Sequence, residues 1–139
     1  IGYSVFNECE SLTKVTLGEG IKKLSSYYFN KKTLEEIRLP NTLEKIEEFT
    51  FQHCEKLKTV TLNEGLKELG DYALSFLSIE SITIPSTVEK IGHAAFTACQ
   101  NLTAIDCKIK KSYYDTHKVD LEGLTQFKQN GYKVNWLNG

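Results

Sequence analysis

Arginine is almost absent from this chain: Arg38 is the only one. The 17 Lys plus Arg residues do not outnumber the 18 Asp plus Glu, so the formal net charge is −1. Affinity for nucleic acid comes largely from neutralising phosphates with surplus cationic side chains. No such surplus exists, and nucleic acid is not an expected partner. No apolar run approaches the roughly 18 residues of a spanning helix, so no membrane insertion is expected in this segment. No basic stretch followed by an apolar segment and a small-residue cleavage site opens the chain. The nucleophile elbow G-x-S-x-G, the zinc motif H-E-x-x-H, a phosphate-cradling glycine loop and a dinucleotide fingerprint are all missing. The expectation is therefore no enzyme, no catalytic residues, no cofactor and no metal. Prolines number two, Pro40 and Pro85, at equivalent places in a repeating pattern.

That pattern dominates the rest of the sequence. Leu12, Leu34, Leu57, Ile79 and Leu102 recur at alternating steps of 22 and 23 residues. Val15, Ile37, Val60, Ile82 and Ile105 follow three behind each, and Leu17, Leu39, Leu62, Ile84 and Cys107 two further on. A second apolar pair then appears as Ile21/Leu24, Leu43/Ile46, Leu66/Leu69 and Val88/Ile91. One large apolar residue completes each unit: Phe6, Phe29, Phe51, Leu74 and Phe96. Within V-x-L the apolar residues alternate, which is the strand period. One such coil cannot bury its own apolar side, whereas stacked coils share a continuous core. The predicted fold is a solenoid of five coils over residues 1–107. It carries a parallel sheet on one face and short turns or helical turns elsewhere.

The alternation has content. Units one and three carry Glu19-Gly20 and Glu64-Gly65, while units two and four carry Pro40-Asn41-Thr42 and Pro85-Ser86-Thr87. Cys9, Cys54 and Cys99 fall in units one, three and five. The chain reads as a duplicated 45-residue pair.

The stretch Ile91-Gly92-His93-Ala94-Ala95-Phe96-Thr97-Ala98-Cys99-Gln100-Asn101-Leu102 resembles the BspA-like subclass of leucine-rich repeats. That subclass, whose unit runs I-G-x-x-A-F-x-x-C-x-x-L-x-x-V-x-I-P, occurs in surface proteins of anaerobic bacteria and some parasitic protozoa. Unit two departs with Ser25 for the Gly and Lys32 for the Cys, and unit four with Leu77 for the Cys. The resemblance implies a non-catalytic interaction module of a cell-surface or secreted protein. It would adhere to a protein or glycoprotein surface such as host extracellular matrix or other microbes. The alternative is a structural spacer within a longer surface protein. Repeats specify a scaffold and not a ligand.

Residues 108–139 break the period. Lys108–Lys118 is polar with two adjacent tyrosines. Asp120 is placed to cap a short helix that turns Leu121, Leu124 and Phe127 inward. Gly131 suits the position after the helix end, and Tyr132–Trp136 alternates as a strand. This segment is the expected cap over the last coil. The other end opens inside a repeat, and further repeats are expected before Ile1.

Two repeats separate neighbours in the cysteine column, roughly 9–10 Å and beyond the roughly 7 Å that a disulfide spans. The cysteines are read as small buried apolar residues, and His53, His93 and His117 as surface groups. Interaction residues are sought in the outward columns. Lys14, Thr16, Glu36, Arg38, Thr59 and Thr61 are the first candidate set, on the strand face. Tyr27, Phe49 and Tyr72, an aromatic column flanked by Ser4 and Ala94, are the second.

Overall fold

A computed structural model describes residues 11–29, 32–51 and 53–139. Phe6, Ser4 and Cys9 lie outside the described residues. Each coil contributes two short extended segments. The first face carries β1 (Lys14–Thr16), and the second face β2 (Lys23–Leu24). The next coils repeat the pair as β3 (Glu36–Arg38) and β4 (Lys45–Ile46), then β5 (Thr59–Thr61) and β6 (Glu68–Leu69). β7 (Thr83–Ile84) and β8 (Lys90–Ile91) follow, and β9 (Ala104–Cys107) closes the series. Two helices, α1 (Lys111–Thr116) and α2 (Glu122–Gln129), lead to β10 (Lys133–Trp136).

All pairings are parallel. On the first face β1, β3 and β5 form one sheet, and β7, β9 and β10 another. On the second face β2, β4, β6 and β8 form a ladder of two-residue strands. Register follows the repeat: Val15 pairs Ile37, which pairs Val60, and Leu24, Ile46, Leu69 and Ile91 align across the second face. β-Branched residues at the strand centres suit a pleated surface buried on one side. The solenoid predicted from the repeat is the observed architecture.

Between the two faces the core is one continuous cluster. Phe29 and Phe51 are fully buried and stack at 5.4 Å, with Leu74 and Phe96 continuing the column, both buried. In unit four Leu77 is buried where units three and five have cysteine, while Lys32 in unit two stays exposed.

The 45-residue alternation has a physical cause. The Thr42 hydroxyl donates to the Ile21 carbonyl at 2.8 Å and accepts from the Gly20 amide at 2.9 Å. One pair later Thr87 repeats this with the Leu66 carbonyl at 2.7 Å and the Gly65 amide at 2.9 Å. The glutamates add to it: Glu19 accepts from the Asn41 amide, and Glu64 from the Ser86 amide and hydroxyl. Gly20 and Gly65 have φ of +99° and +103°, a conformation that other L residues enter only at a cost. Glu-Gly on an odd coil and Pro-x-Thr on the next even coil are thus two halves of one lock.

The opposite corner of each coil holds non-glycine residues at positive φ. Tyr27, Phe49, Tyr72 and Ala94 form one such column, at +52° to +57°. His53, Phe76 and Ala98 form a second, at +55° to +65°. A non-glycine residue there costs roughly 1–2 kcal/mol. The conformation aims each amide at the neighbouring coil: Tyr27 N–H donates to the Phe49 carbonyl, Phe49 to Asp71, Tyr72 to His93 and Phe76 to Thr97. A satisfied buried amide offsets much of the strain.

At the C-terminal end the helix with Leu121, Leu124 and Phe127 buried is present, as is the strand after Gly131 (φ +91°). β10 pairs with β9 from Lys133↔Ala104 to Trp136↔Cys107. Two readings need correction. The N-cap of α2 is Leu121, not Asp120, and it makes no side-chain cap bond. The Asp120 carbonyl instead receives the Ile91 amide at 2.9 Å, so packing of this segment on the last coil overrides the local capping preference. Lys111–Thr116, read only as polar, forms α1, which buries Tyr114 against Trp136 at 5.0 Å.

Candidate interaction site

The register of β1, β3 and β5 turns six residues scattered over 48 positions into a grid. Lys14, Glu36 and Thr59 form one row, and Thr16, Arg38 and Thr61 the other. Because side chains alternate across a strand, Val15, Ile37 and Val60 between them point to the core. The six face outward; Glu36 is half-buried and the others exposed. Lys14 Nζ lies 3.4 Å from Glu36 Oε1, with both groups about half exposed or more. Such an exposed pair adds little stability. Beside the grid, Lys58, Thr59 and Thr61 face Ser81 and Thr83 across a depression of about 200 Å³.

The second set is also brought together. The rings of Tyr27 and Phe49 stack at 5.5 Å and 2°, and those of Phe49 and Tyr72 at 4.8 Å and 7°. One residue per coil in the same left-handed conformation makes the rings parallel, and the coil spacing makes them stack. Their faces are spent on one another, so solvent meets mainly edges. Tyr27 is 44% exposed, and Phe49 and Tyr72 are half-buried. Tyr72 meets His93 edge-on at 5.7 Å. His93 Nδ1 is in turn 3.0 Å from Glu122 and 2.9 Å from the Gln126 amide nitrogen. The stack therefore ends against α2.

Sequence reasoning missed two features. Phe76 is the most exposed phenylalanine among the described residues, at 59%, in the second left-handed column. Its only signal is an aromatic where His53 and Ala98 stand in other coils. The other feature is a groove of about 640 Å³ between the turn after β8 and α2, bordered by Tyr72, Gln100, Gln126, Gln129, Asn130 and Tyr132 among others.

Residues 1–117 match the sequence profile of the BspA type leucine rich repeat region in six copies. The chain belongs to this family. The six copies run ten residues beyond the five units read from the sequence. A BspA-type repeat domain is a protein-interaction or repeat module. Among solved structures, a leucine-rich repeat protein from Bacteroides ovatus superposes with a TM-score of 0.63 at 24% identity. The match covers 79% of this chain and 36% of that one, and it bears on the fold alone. The chain thus spans about a third of the length of that protein. No curated protein matches the sequence.

The described cysteines are small apolar residues of the core. Cys54, Cys99 and Cys107 are all buried, and the Cys99 thiol donates to the Leu74 carbonyl at 2.9 Å. Burial, opposed by backbone hydrogen bonds from Leu77 and Phe76, pushes Cys99 up to about 11. Burial, opposed by the Ile109 backbone, does the same to Cys107, also to about 11. The nucleophile is the thiolate, so both should react with iodoacetamide at pH 8 far more slowly in the folded protein than in urea. Equal rates would contradict their burial. The neutral thiols also contribute stability that is fully present below the ordinary value of 9.0 and is lost as pH rises through about 11. His53 is exposed, as expected. Among the described residues no three His, Cys, Asp or Glu side chains converge as a metal site. No helix among them is long and apolar enough to cross a membrane.

Proposed function

We propose that this BspA-type solenoid is a non-catalytic adhesion module of a cell-surface or secreted protein. It would bind a protein or glycoprotein surface, such as host matrix or another microbe, through its strand face. The in-register grid of Lys14, Glu36 and Thr59 beside Thr16, Arg38 and Thr61 carries the reading. It is rigid and polar, carries both charge signs, and is made from side chains the core does not need. Electrostatic complementarity at such a face supplies specificity and association rate. Residues 108–139 would act as the cap of the repeat unit 1–107, and Leu121, Leu124 and Phe127, all buried, support that role.

The aromatic stack is a second reading, favoured by the exposure of Tyr27 at its end and by the enrichment of tyrosine in binding hot spots. The experiment compares binding of the chain to matrix glycoproteins, host cells and other microbial cells with that of two variants. Combined Glu36→Lys and Arg38→Glu should weaken binding at least about tenfold while shifting Tm by only a few degrees, because exposed ion pairs contribute little. Tyr27→Asn removes the ring at a position where asparagine tolerates positive φ. Unchanged binding by the charge variant removes the strand face from consideration, and loss in the Tyr27 variant moves the site to the stack. No binding by the parent chain to any surface favours the spacer role.

A further inference from the structure

The groove beside α2 has a composition unlike the rest of the molecule. A quarter of the chain is charged, yet none of the fifteen residues bordering the groove is Asp, Glu, Lys or Arg. The chain has four glutamines, and three of them, Gln100, Gln126 and Gln129, line this one groove together with Asn130. They come from two places: Gln100 from the turn of the last coil, and the others from α2 and its end. Only the packing of α2 on that coil brings them together.

We propose that this groove binds a neutral oligosaccharide. A carboxamide offers two N–H donors and a carbonyl acceptor, which matches a pair of sugar hydroxyls that each donate and accept. Gln100, Gln129 and Asn130 are exposed and make no side-chain hydrogen bond among the described residues, so their amides are available to a ligand. Gln126 has the other task. Its Oε1 accepts from the Ala94 amide at 2.7 Å and its Nε2 reaches His93, which fixes the groove wall. Tyr132 supplies an aromatic surface for the apolar side of a pyranose. It stacks on Phe127 at 4.9 Å and remains 46% exposed. The volume of about 640 Å³ lies within the ~300–1,000 Å³ of small-ligand sites.

Two other ligand classes fit less well. An anionic ligand would meet no Lys or Arg in the lining. A peptide added as a strand needs an open sheet edge, and none of the lining residues lies in a strand. The proposal extends beyond the strand-face reading and does not depend on it, since it uses none of the same residues.

The test follows the side-chain amide resonances of Gln100, Gln129 and Asn130 in 15N-labelled chain. Maltotetraose, mannotetraose, chitotetraose and lacto-N-neotetraose would be added at millimolar concentration, beside sialylated and sulfated glycans and a pool of unstructured peptides. At least one neutral oligosaccharide should shift these resonances saturably, and combined Gln100→Ala and Gln129→Ala should weaken it at least about tenfold. Both positions are exposed, so the variant should melt like the parent; Tyr132→Ser serves as the second variant if it does not. Silence from every neutral oligosaccharide, or a response confined to the charged glycans or peptides, overturns the proposal. Adhesion through the strand face would survive that outcome, because the Glu36 and Arg38 variant tests it separately.

Discussion

Phe51→Ala should destabilise the protein by about 3–5 kcal/mol, the range for deleting a buried aromatic ring. Phe51 is 1% exposed and stacks on Phe29 in the central column. Removal leaves a cavity that the neighbouring coils cannot fill, because their backbones are pinned to one another on both faces. Contacts in a solenoid run only to adjacent coils. Hydrogen exchange should therefore quicken first around Phe29, Phe51 and Leu74, and last around β9 and β10. Phe51→Leu should cost far less, under about 1.5 kcal/mol, as a substitution that nearly conserves volume; Leu74 already occupies the same column. Urea unfolding of both variants decides the matter. Equal losses from Ala and Leu would show that the column is not packed as described.

Gly123→Ala should also destabilise, by roughly 1–3 kcal/mol as an overpacking change, although alanine is the better helix former by about 1 kcal/mol. The sign reverses because of where α2 sits. A Cβ on Gly123 would clash with the Gly92 carbonyl oxygen and stand 2.8 Å from Ile91 Cγ2. The carbonyl belongs to the second-face corner of the last described coil and cannot retreat without disturbing its neighbours. The helix must move out instead, which uncovers Leu121, Leu124 and Phe127 and widens the oligosaccharide groove. Thermal melting reads the effect directly. A Tm equal to or above that of the parent would show that α2 does not rest on this coil and would remove the support for the capping role.

Much of this was legible in the sequence because a repeat makes one local rule visible many times. Val15, Ile37 and Val60 share a column by spacing alone, and that column is the register of the first sheet. The same spacing placed Lys14, Thr16, Glu36, Arg38, Thr59 and Thr61 on one outward face, and stacked Tyr27, Phe49 and Tyr72. The alternation of Glu-Gly with Pro-x-Thr was visible as a pattern, but its meaning was not. The Thr42 and Thr87 hydroxyls bridge residues 20 or more positions away, and no local propensity encodes such a partner.

Where the period stopped, legibility fell. The apolar spacing of Leu121, Leu124 and Phe127 announced α2, whereas α1, six residues with a single buried side chain, had no stripe to announce it. Positive φ went unseen at Tyr27, Phe49, Tyr72 and Phe76, because glycine is the usual signal for that conformation and here the next coil enforces it through the backbone amide. What the amino-acid order determined by itself is the coil, its period and the faces its side chains take, since these follow from alternation and burial within about twenty residues. What only the tertiary structure decided is where α2 rests on the last coil. That contact brings Tyr72, Gln100, Gln129 and Tyr132 to one uncharged groove, because it joins segments related by packing and by no periodicity.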